Sequence, residues 1–226
     1  MYIELKDVEK TIRGVTVLQG INVRFEAGRV YGLKGKNGCG KTMLMRLICG
    51  LIRPTHGTVD INGEILGKEI SFPRSIGALI ENPAFIDGYT GFKNLQILAS
   101  IQGKIGDEEI RDALRKVGLD PDDKRKYRKY SLGMKQRLGI ACAFMEHPEI
   151  VVLDEPINAL DDKGVELVHD ILHDLKEKGT LVIIACHDQE EMEQLADEIY
   201  LMGEGKITGH ELVEGKGRSV SSEEGA

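Results

Sequence analysis

Gly35-Lys36-Asn37-Gly38-Cys39-Gly40-Lys41-Thr42 is the stretch that decides how this chain folds. It is a complete GxxxxGKT, and its neighbours give it meaning. Residues 30–33 form a short apolar run suited to a buried strand, and residues 43–49 are apolar at helical spacing up to Gly50. A strand feeding a glycine-rich turn that opens a helix is the setting in which this motif cradles phosphate. Glycines let consecutive backbone N–H groups turn inward onto phosphate oxygens, and the helix N-terminus adds a favourable dipole. Lys41 supplies a mobile positive charge for the β and γ phosphates, and Thr42 offers a hydroxyl to magnesium. Cys39 reads as a small residue tolerated in the loop; the alternative is a thiol redox switch.

Outward from the loop, Ile150-Val151-Val152-Leu153-Asp154-Glu155 is a four-residue apolar strand that delivers two carboxylates at its end. Asp154 is placed to hold magnesium directly or through water. Glu155 can polarise a water as a general base. Such a run is common by itself and gains a role only beside the upstream loop. In Tyr130-Ser131-Leu132-Gly133-Met134-Lys135-Gln136-Arg137, Ser131 has the character of a helix N-cap. The amides that follow make a second helix start able to bind an anion.

The rest of the chain supplies the frame. Residues 2–8, 15–18 and 21–25 alternate as strands before a turn at Ala27-Gly28, and residues 58–61 and 76–80 predict further strands. Between residues 83 and 145 the pattern turns helical, at 94–101, 107–117 and 133–145. Strands at 150–153, 180–185 and 198–202 then alternate with helices at 163–178 and 189–195. That alternation predicts a largely parallel sheet with helices on both faces. The tail from 215 to 226 is small, polar and charged, and is expected to be disordered.

With 226 residues, 41% hydrophobic and 30% charged, the chain can bury a real core. No window reaches the roughly 18 apolar residues of a spanning helix, and MYIELKDVEK lacks a secretory pattern, so a cytosolic chain is expected. A net charge of −7 argues against a broad nucleic-acid footprint. One basic cluster, KRKYRK at residues 124–129, reads as a solvated loop, with contact to phosphates as the alternative. The cysteines, Cys39, Cys49, Cys142 and Cys186, lack zinc or redox spacing, and the last three read as core residues. His169 and His173, four apart on a predicted helix, suit a solvated face better than a metal site that lacks a third ligand. Tyr127 and Tyr130 read as supports for the helix that follows rather than as a base-stacking platform.

Together these motifs resemble the nucleotide-binding domain of the ABC ATPase family, over nearly everything from residue 1 to about 212. Gly35 to Thr42 matches the Walker A loop, and Asp154-Glu155 ends the Walker B strand. Ser131-Leu132-Gly133-Met134-Lys135 matches the signature, Asn158-Ala159-Leu160-Asp161 resembles the D-loop, and His187 takes the place of the switch histidine. The resemblance implies a P-loop NTPase α/β core with a mostly parallel sheet, an N-terminal antiparallel β subdomain and an inserted α-helical subdomain. One ATPase domain would span 1–214, with 1–82 and 146–214 as the nucleotide-binding core and 83–145 as the helical subdomain. ATP and Mg2+ are the implied ligands. Gly35, Lys36, Asn37, Gly38, Cys39, Gly40, Lys41, Thr42 and Met43 would bind ATP. Glu155, His187 and Lys41 would be catalytic, and Thr42, Asp154 and Glu81 would face the metal. Ser131, Leu132, Gly133 and Met134 would act in trans on a second ATP-binding subunit, with Asp161 in the D-loop. The implied partners are that second cassette, as homo- or heterodimer, and an integral membrane permease, but no nucleic acid. The chain would be cytoplasmic and peripheral on the inner face of the membrane.

Three departures stand out. Glu81, in Ile80-Glu81-Asn82-Pro83, sits where most of the family has a glutamine; it can ligate magnesium but cannot donate as an amide does. Its charge near Asp154 and Glu155 should favour retaining a cation. Leu132 and Met134 replace the usual signature residues, while Ser131 and Gly133 are kept. The early aromatic that would stack on adenine is missing, with Ile12 in its place. IGALIENPAF together with YSLGMKQRLGIA resembles the branch that exports lantibiotics, bacitracin and similar peptides, often for producer self-protection. The competing readings are a soluble ABC ATPase acting on DNA or ribosomes and a nucleotide switch without turnover.

Overall fold

The computed structural model describes residues 1–186 and 188–213. In chain order the first elements are β1 (Tyr2–Ile12), β2 (Val15–Glu26), β3 (Arg29–Lys34), α1 (Lys41–Ile48), β4 (His56–Ile61), β5 (Glu64–Ile65) and β6 (Ile76–Leu79). A helical stretch follows, with α2 (Gly91–Gln102), α3 (Asp107–Lys116) and α4 (Leu132–Phe144). The last part alternates β7 (Ile150–Asp154), α5 (Asp162–Glu177), β8 (Leu181–Ala185), α6 (Gln189–Leu195), β9 (Glu198–Gly203) and β10 (Lys206–Leu212).

The strands make two sheets. One is antiparallel, in the order β2-β1-β4-β5; the other runs β10-β9-β3-β8-β7-β6 and is parallel throughout except for β10 at its edge. The expected class, a P-loop α/β core with a mostly parallel sheet and an antiparallel N-terminal sheet, is the architecture found. β7 and β8 are apolar at nearly every position because both of their faces are covered. Ile150, Val152, Leu181 and Ile183 pack with α1 and the antiparallel sheet, whereas Val151, Leu153, Val182 and Ile184 pack with the helices of the opposite layer. The period-2 alternation of a strand thus splits one apolar run between two cores.

Some elements differ from expectation. The pieces expected at 15–18 and 21–25 are one strand, β2, with Gly20 inside it at φ 57°. β1 runs on to Ile12, and the pairing of β1 with β2 shifts register between Leu5 and Val8, Val8 and Lys10, and Lys10 and Thr11. β10 has no counterpart in the sequence reading. It is an edge strand whose residues are half-buried at best, so it carries no apolar run to signal it. Thr90 caps α2 by accepting from the Lys93 amide at 3.2 Å, which moves that helix start ahead of residue 94. Cys49 and Cys186 are buried and Cys142 is half-buried; burial pushes the Cys49 thiol up to about 12 and the other two up to about 11. Among the described residues no helix is long and apolar enough to cross a membrane. The tail expected to be disordered lies outside the described residues.

Candidate functional site

The glycine loop leaves the end of β3, a strand held between β8 and β9 in the middle of the parallel sheet. Gly35 is pressed against the neighbouring strand: a Cβ there would lie 2.3 Å from the Met202 carbonyl oxygen and 2.6 Å from Cys39 Sγ. The Cys39 sulfur therefore fills space beneath the loop, which accounts for its burial as packing. Gly40 precedes α1 at φ 112°, a conformation that side chains rarely adopt, and no side chain caps the helix. The first turn of α1 contains no acidic residue, so its amides and dipole face no built-in competitor for an anion. Lys41 is only 6% exposed. Its Nζ donates to the Gly35 carbonyl at 2.6 Å and more weakly to that of Lys36 at 3.5 Å. The ammonium thus rests on the loop it would serve.

The second element is the end of β7. Thr42 Oγ1 donates to Asp154 Oδ2 at 2.7 Å, joining the start of α1 to the carboxylate strand. Burial pushes the Asp154 carboxyl above its ordinary range, and the charges of Glu155 and Glu81 push it the same way; the Thr42 hydrogen bond and Lys41 oppose them. Glu155 turns the chain at φ 51°, with its amide donating to the Ala185 carbonyl at 2.9 Å. Gln136 Nε2 donates to the Glu155 carbonyl at 2.9 Å and to that of Pro156 at 3.2 Å, tying α4 to the same turn. Glu81 lies at φ 62° on the loop after β6 and forms an ion pair with Arg46 of α1 at 2.6 Å. Gly38, Lys41, Thr42, Glu81, Asp154 and Glu155 all line one cleft of about 460 Å³, with Val17 and Gln136 also in its wall.

The donor set suits magnesium. Thr42, Asp154, Glu81 and Glu155 offer hard oxygens, and three carboxylates near one buried position leave negative charge that a cation would offset. Among the described residues no group of three or more His, Cys, Asp or Glu forms a protein-only cage.

The signature segment stands apart from this cleft. Ser131 caps α4, its Oγ accepting from the Met134 amide at 3.2 Å, and Leu132 is 64% exposed. Neither residue, nor Gly133 or Met134, lines the cleft. Gly133 lies so close to the segment at residues 158–161 that a Cβ would sit 2.9 Å from the Ala159 carbonyl oxygen. Asp161 caps α5, accepting from the Gly164 amide at 3.1 Å, and forms an ion pair with Arg137. Tyr127 donates to the Pro83 carbonyl at 2.6 Å, and Tyr130 accepts from the Gly91 amide at 3.2 Å, so both brace the approach to α4. His169 lies 3.9 Å from Glu191. His187 lies outside the described residues.

Sequence reading gave no role to Arg46, Gln136 or Val17. Gln136 had a signal, since it directly follows Ser131–Lys135 in the run at residues 130–137. The Arg46–Glu81 pair spans 35 residues and has no local signature.

A strand–loop–helix phosphate cradle on a parallel α/β sheet, with paired carboxylates at the end of the next strand but one, defines the class as a P-loop nucleotide-binding protein. The family described as ABC transporter matches residues 18–158, and this chain belongs to it. It is 47% identical over 211 residues to an uncharacterised ABC transporter ATP-binding protein, YybJ, of Bacillus subtilis, covering 93% of this chain and 97% of that one. It is 42% identical to the bacitracin transport ATP-binding protein BcrA of Enterococcus faecalis, covering 91% of this chain and 67% of that one. With the lantibiotic transport ATP-binding protein SrtF of Streptococcus pyogenes it shares 35% identity over 91% of this chain and 88% of that one. A solved ATP-binding subunit of an ABC transporter superposes with a TM-score of 0.84 at 26% identity, covering 94% of this chain and 90% of that one. A dimeric ATP-binding cassette bound to ADP and Pi shares the fold, with a TM-score of 0.86 at 23% identity, covering 94% and 99%.

Proposed function

We propose that this chain is the Mg-dependent ATPase subunit of an exporter for antimicrobial peptides or similar compounds, serving self-protection and working with a separate membrane permease. The observation that carries the ATPase part is the meeting, in one cleft, of the glycine loop, Lys41, the Thr42–Asp154 bond and Glu155. The export part rests on the relatives named for bacitracin and lantibiotic transport.

The loop amides from Gly35 to Met43 and the α1 N-terminus receive the triphosphate. Lys41 exchanges its carbonyl partners on Gly35 and Lys36 for phosphate oxygens, which costs little because the ammonium is already desolvated at the site. Magnesium, held by Thr42 and Asp154 with Glu81 nearby, would neutralise phosphate charge. Glu155 accepts a proton from the water that attacks the γ phosphorus, and the bond to the β-phosphate oxygen breaks as the new P–O bond forms. His187 is assigned to the γ-phosphate as the switch residue. Ser131 and its helix start serve the site of a second ATP-binding subunit, with Leu132, Gly133 and Met134, and Asp161 belongs to the same contact. This accounts for their distance from the cleft of their own chain. Loss of the γ-phosphate removes the shared ligand, and the opening that follows drives the permease. Residues 1–82 and 146–214 act as the nucleotide-binding core and 83–145 as the helical subdomain; the chain works at the cytoplasmic face of the membrane.

The test is Glu155→Gln. Hydrolysis is expected to fall by about 10²–10⁴-fold while Mg-ATP still binds and dimers accumulate by gel filtration. Hydrolysis at the parent rate would remove Glu155 from the base position.

A further inference from the structure

We infer that Gln136 is a positioning residue for Glu155: from α4 it holds the backbone turn that aims the carboxylate, and so joins the helix that begins at Ser131 to hydrolysis in its own cleft. This rests on the ATPase reading of the cleft and adds to it a residue that acts through Glu155. Gln136 stands on the second turn of α4 and is only 8% exposed. A buried amide is costly unless it is hydrogen-bonded. Its Nε2 has two hydrogens, and both go to main-chain oxygens, that of Glu155 at 2.9 Å and that of Pro156 at 3.2 Å. Acceptors on two consecutive residues fix which end of the amide faces the turn, since only the NH2 group can donate.

The turn needs holding. Glu155 is at φ 51°, a left-handed conformation that a side-chain-bearing residue adopts against its intrinsic preference. Pro156, next in the chain, has no N–H to contribute. Asp154, one residue earlier, is set by the β7–β8 ladder and by its bond to Thr42. Glu155 stands at the end of that ladder, so the direction of its side chain depends on the turn. Its amide is anchored to the Ala185 carbonyl at 2.9 Å, and its carbonyl also accepts from the Asn158 amide at 3.2 Å, within the same loop. Among these bonds only those from Gln136 reach the carbonyl side of the turn from outside the loop. Gln136 shares its helix with Ser131, whose side chain caps α4 through the Met134 amide and whose carbonyl accepts from the Lys135 amide at 3.0 Å. Cap and clamp stand on one rigid element, so a displacement of the helix start moves the donor that holds Glu155.

The experiment measures equilibrium Mg-ATP binding and single-turnover hydrolysis for the full chain and for Gln136→Met, each with Glu155 intact and in the Glu155→Gln background. Methionine keeps the length of the side chain and loses the donor. Turnover of bound nucleotide is expected to fall about 10–100-fold, as misplacement of a reacting group by about 1 Å does. The Mg-ATP dissociation constant should stay within about 2-fold of the parent's, since the interaction lost serves the chemical step. In the Glu155→Gln background the same substitution should change the residual rate by less than about 2-fold, because a residue that acts through Glu155 then has nothing left to position. Gln136→Glu, equally long and polar, serves where Gln136→Met is too unstable: its carboxylate sets acceptors against two carbonyl oxygens, and turnover should fall at least as far. Parent turnover in a folded variant of either kind would overturn the inference and leave the ATPase reading standing. So would an equal fractional loss with and without Glu155, or a loss confined to Mg-ATP affinity, since either makes Gln136 part of the cleft's frame alone. Hydrolysis by Glu155→Gln at the parent rate, or no Mg-ATP binding by the parent, would instead sink the ATPase reading itself, and this inference with it.

Discussion

The cleft and the β1–β2 hairpin tip are built on opposite plans. At the phosphate end the backbone is clamped: β3 and β7 lie on either side of β8 in the parallel sheet, Gly35 touches the Met202 carbonyl, and Lys41 and Asp154 are buried. At the β1–β2 hairpin tip Ile12 and Val15 are exposed, and the hydroxyls of Thr11 and Thr16 beside them pair with each other. The contrast follows chemistry. Phosphate oxygens must be met by several donors at fixed positions, which only an over-determined backbone can hold. Exposed aliphatic carbon at a hairpin tip is held with no such precision. Binding energy and catalysis should therefore reside at the clamped end, and substitutions should rank accordingly.

The largest effect in this ranking is expected from Gly35→Ala. Its Cβ would fall 2.3 Å from a backbone oxygen on β9, so the loop must shift, at a cost of about 1–3 kcal/mol in stability. Mg-ATP affinity should fall at least ~10-fold, because amide donors depend on placement within about 1 Å; calorimetric titration checks it. Next is Thr42→Ala, which removes the hydroxyl bonded to Asp154. The magnesium concentration for half-maximal ATPase should rise about 10-fold, equivalent to about 1.4 kcal/mol, and an unchanged magnesium titration contradicts the pairing. Glu81→Gln should act more weakly, shifting magnesium dependence or permease coupling by about 2–5-fold while ATP still binds, since its carboxylate is exposed and shared with Arg46. Unchanged metal titration and transport would remove Glu81 from the site. Smallest of all, Val15→Ser should change Mg-ATP affinity by less than about 2-fold in the calorimetric titration, since Val15 is exposed and stands outside the cleft wall.

The same division governed what could be read in the chain beforehand. The clamped end was legible because each part has a local signature: the apolar run at 30–33, the glycine spacing, the helical period after Lys41, and the apolar strand ending in Asp154-Glu155. The parallel sheet followed from alternating periods of two and 3.6. β10 escaped because an edge strand need not be apolar, and β2 was split at Gly20 because a glycine with positive φ inside a bulged strand looks like a turn. Gln136 reaching the Glu155 turn, and Arg46 holding Glu81, are tertiary contacts between segments distant in the chain. Periodicity carries no trace of either.

Equilibrium binding of Mg-ATP to the purified chain and to Lys41→Ala bears most directly on the claim that the glycine loop and its lysine grip a triphosphate. Saturable binding by the parent and a loss of about 100-fold or more in the variant, equivalent to about 2.7 kcal/mol, is the predicted result. Equal affinities in the two proteins, or no measurable binding by the parent even with its companion subunits present, would contradict it.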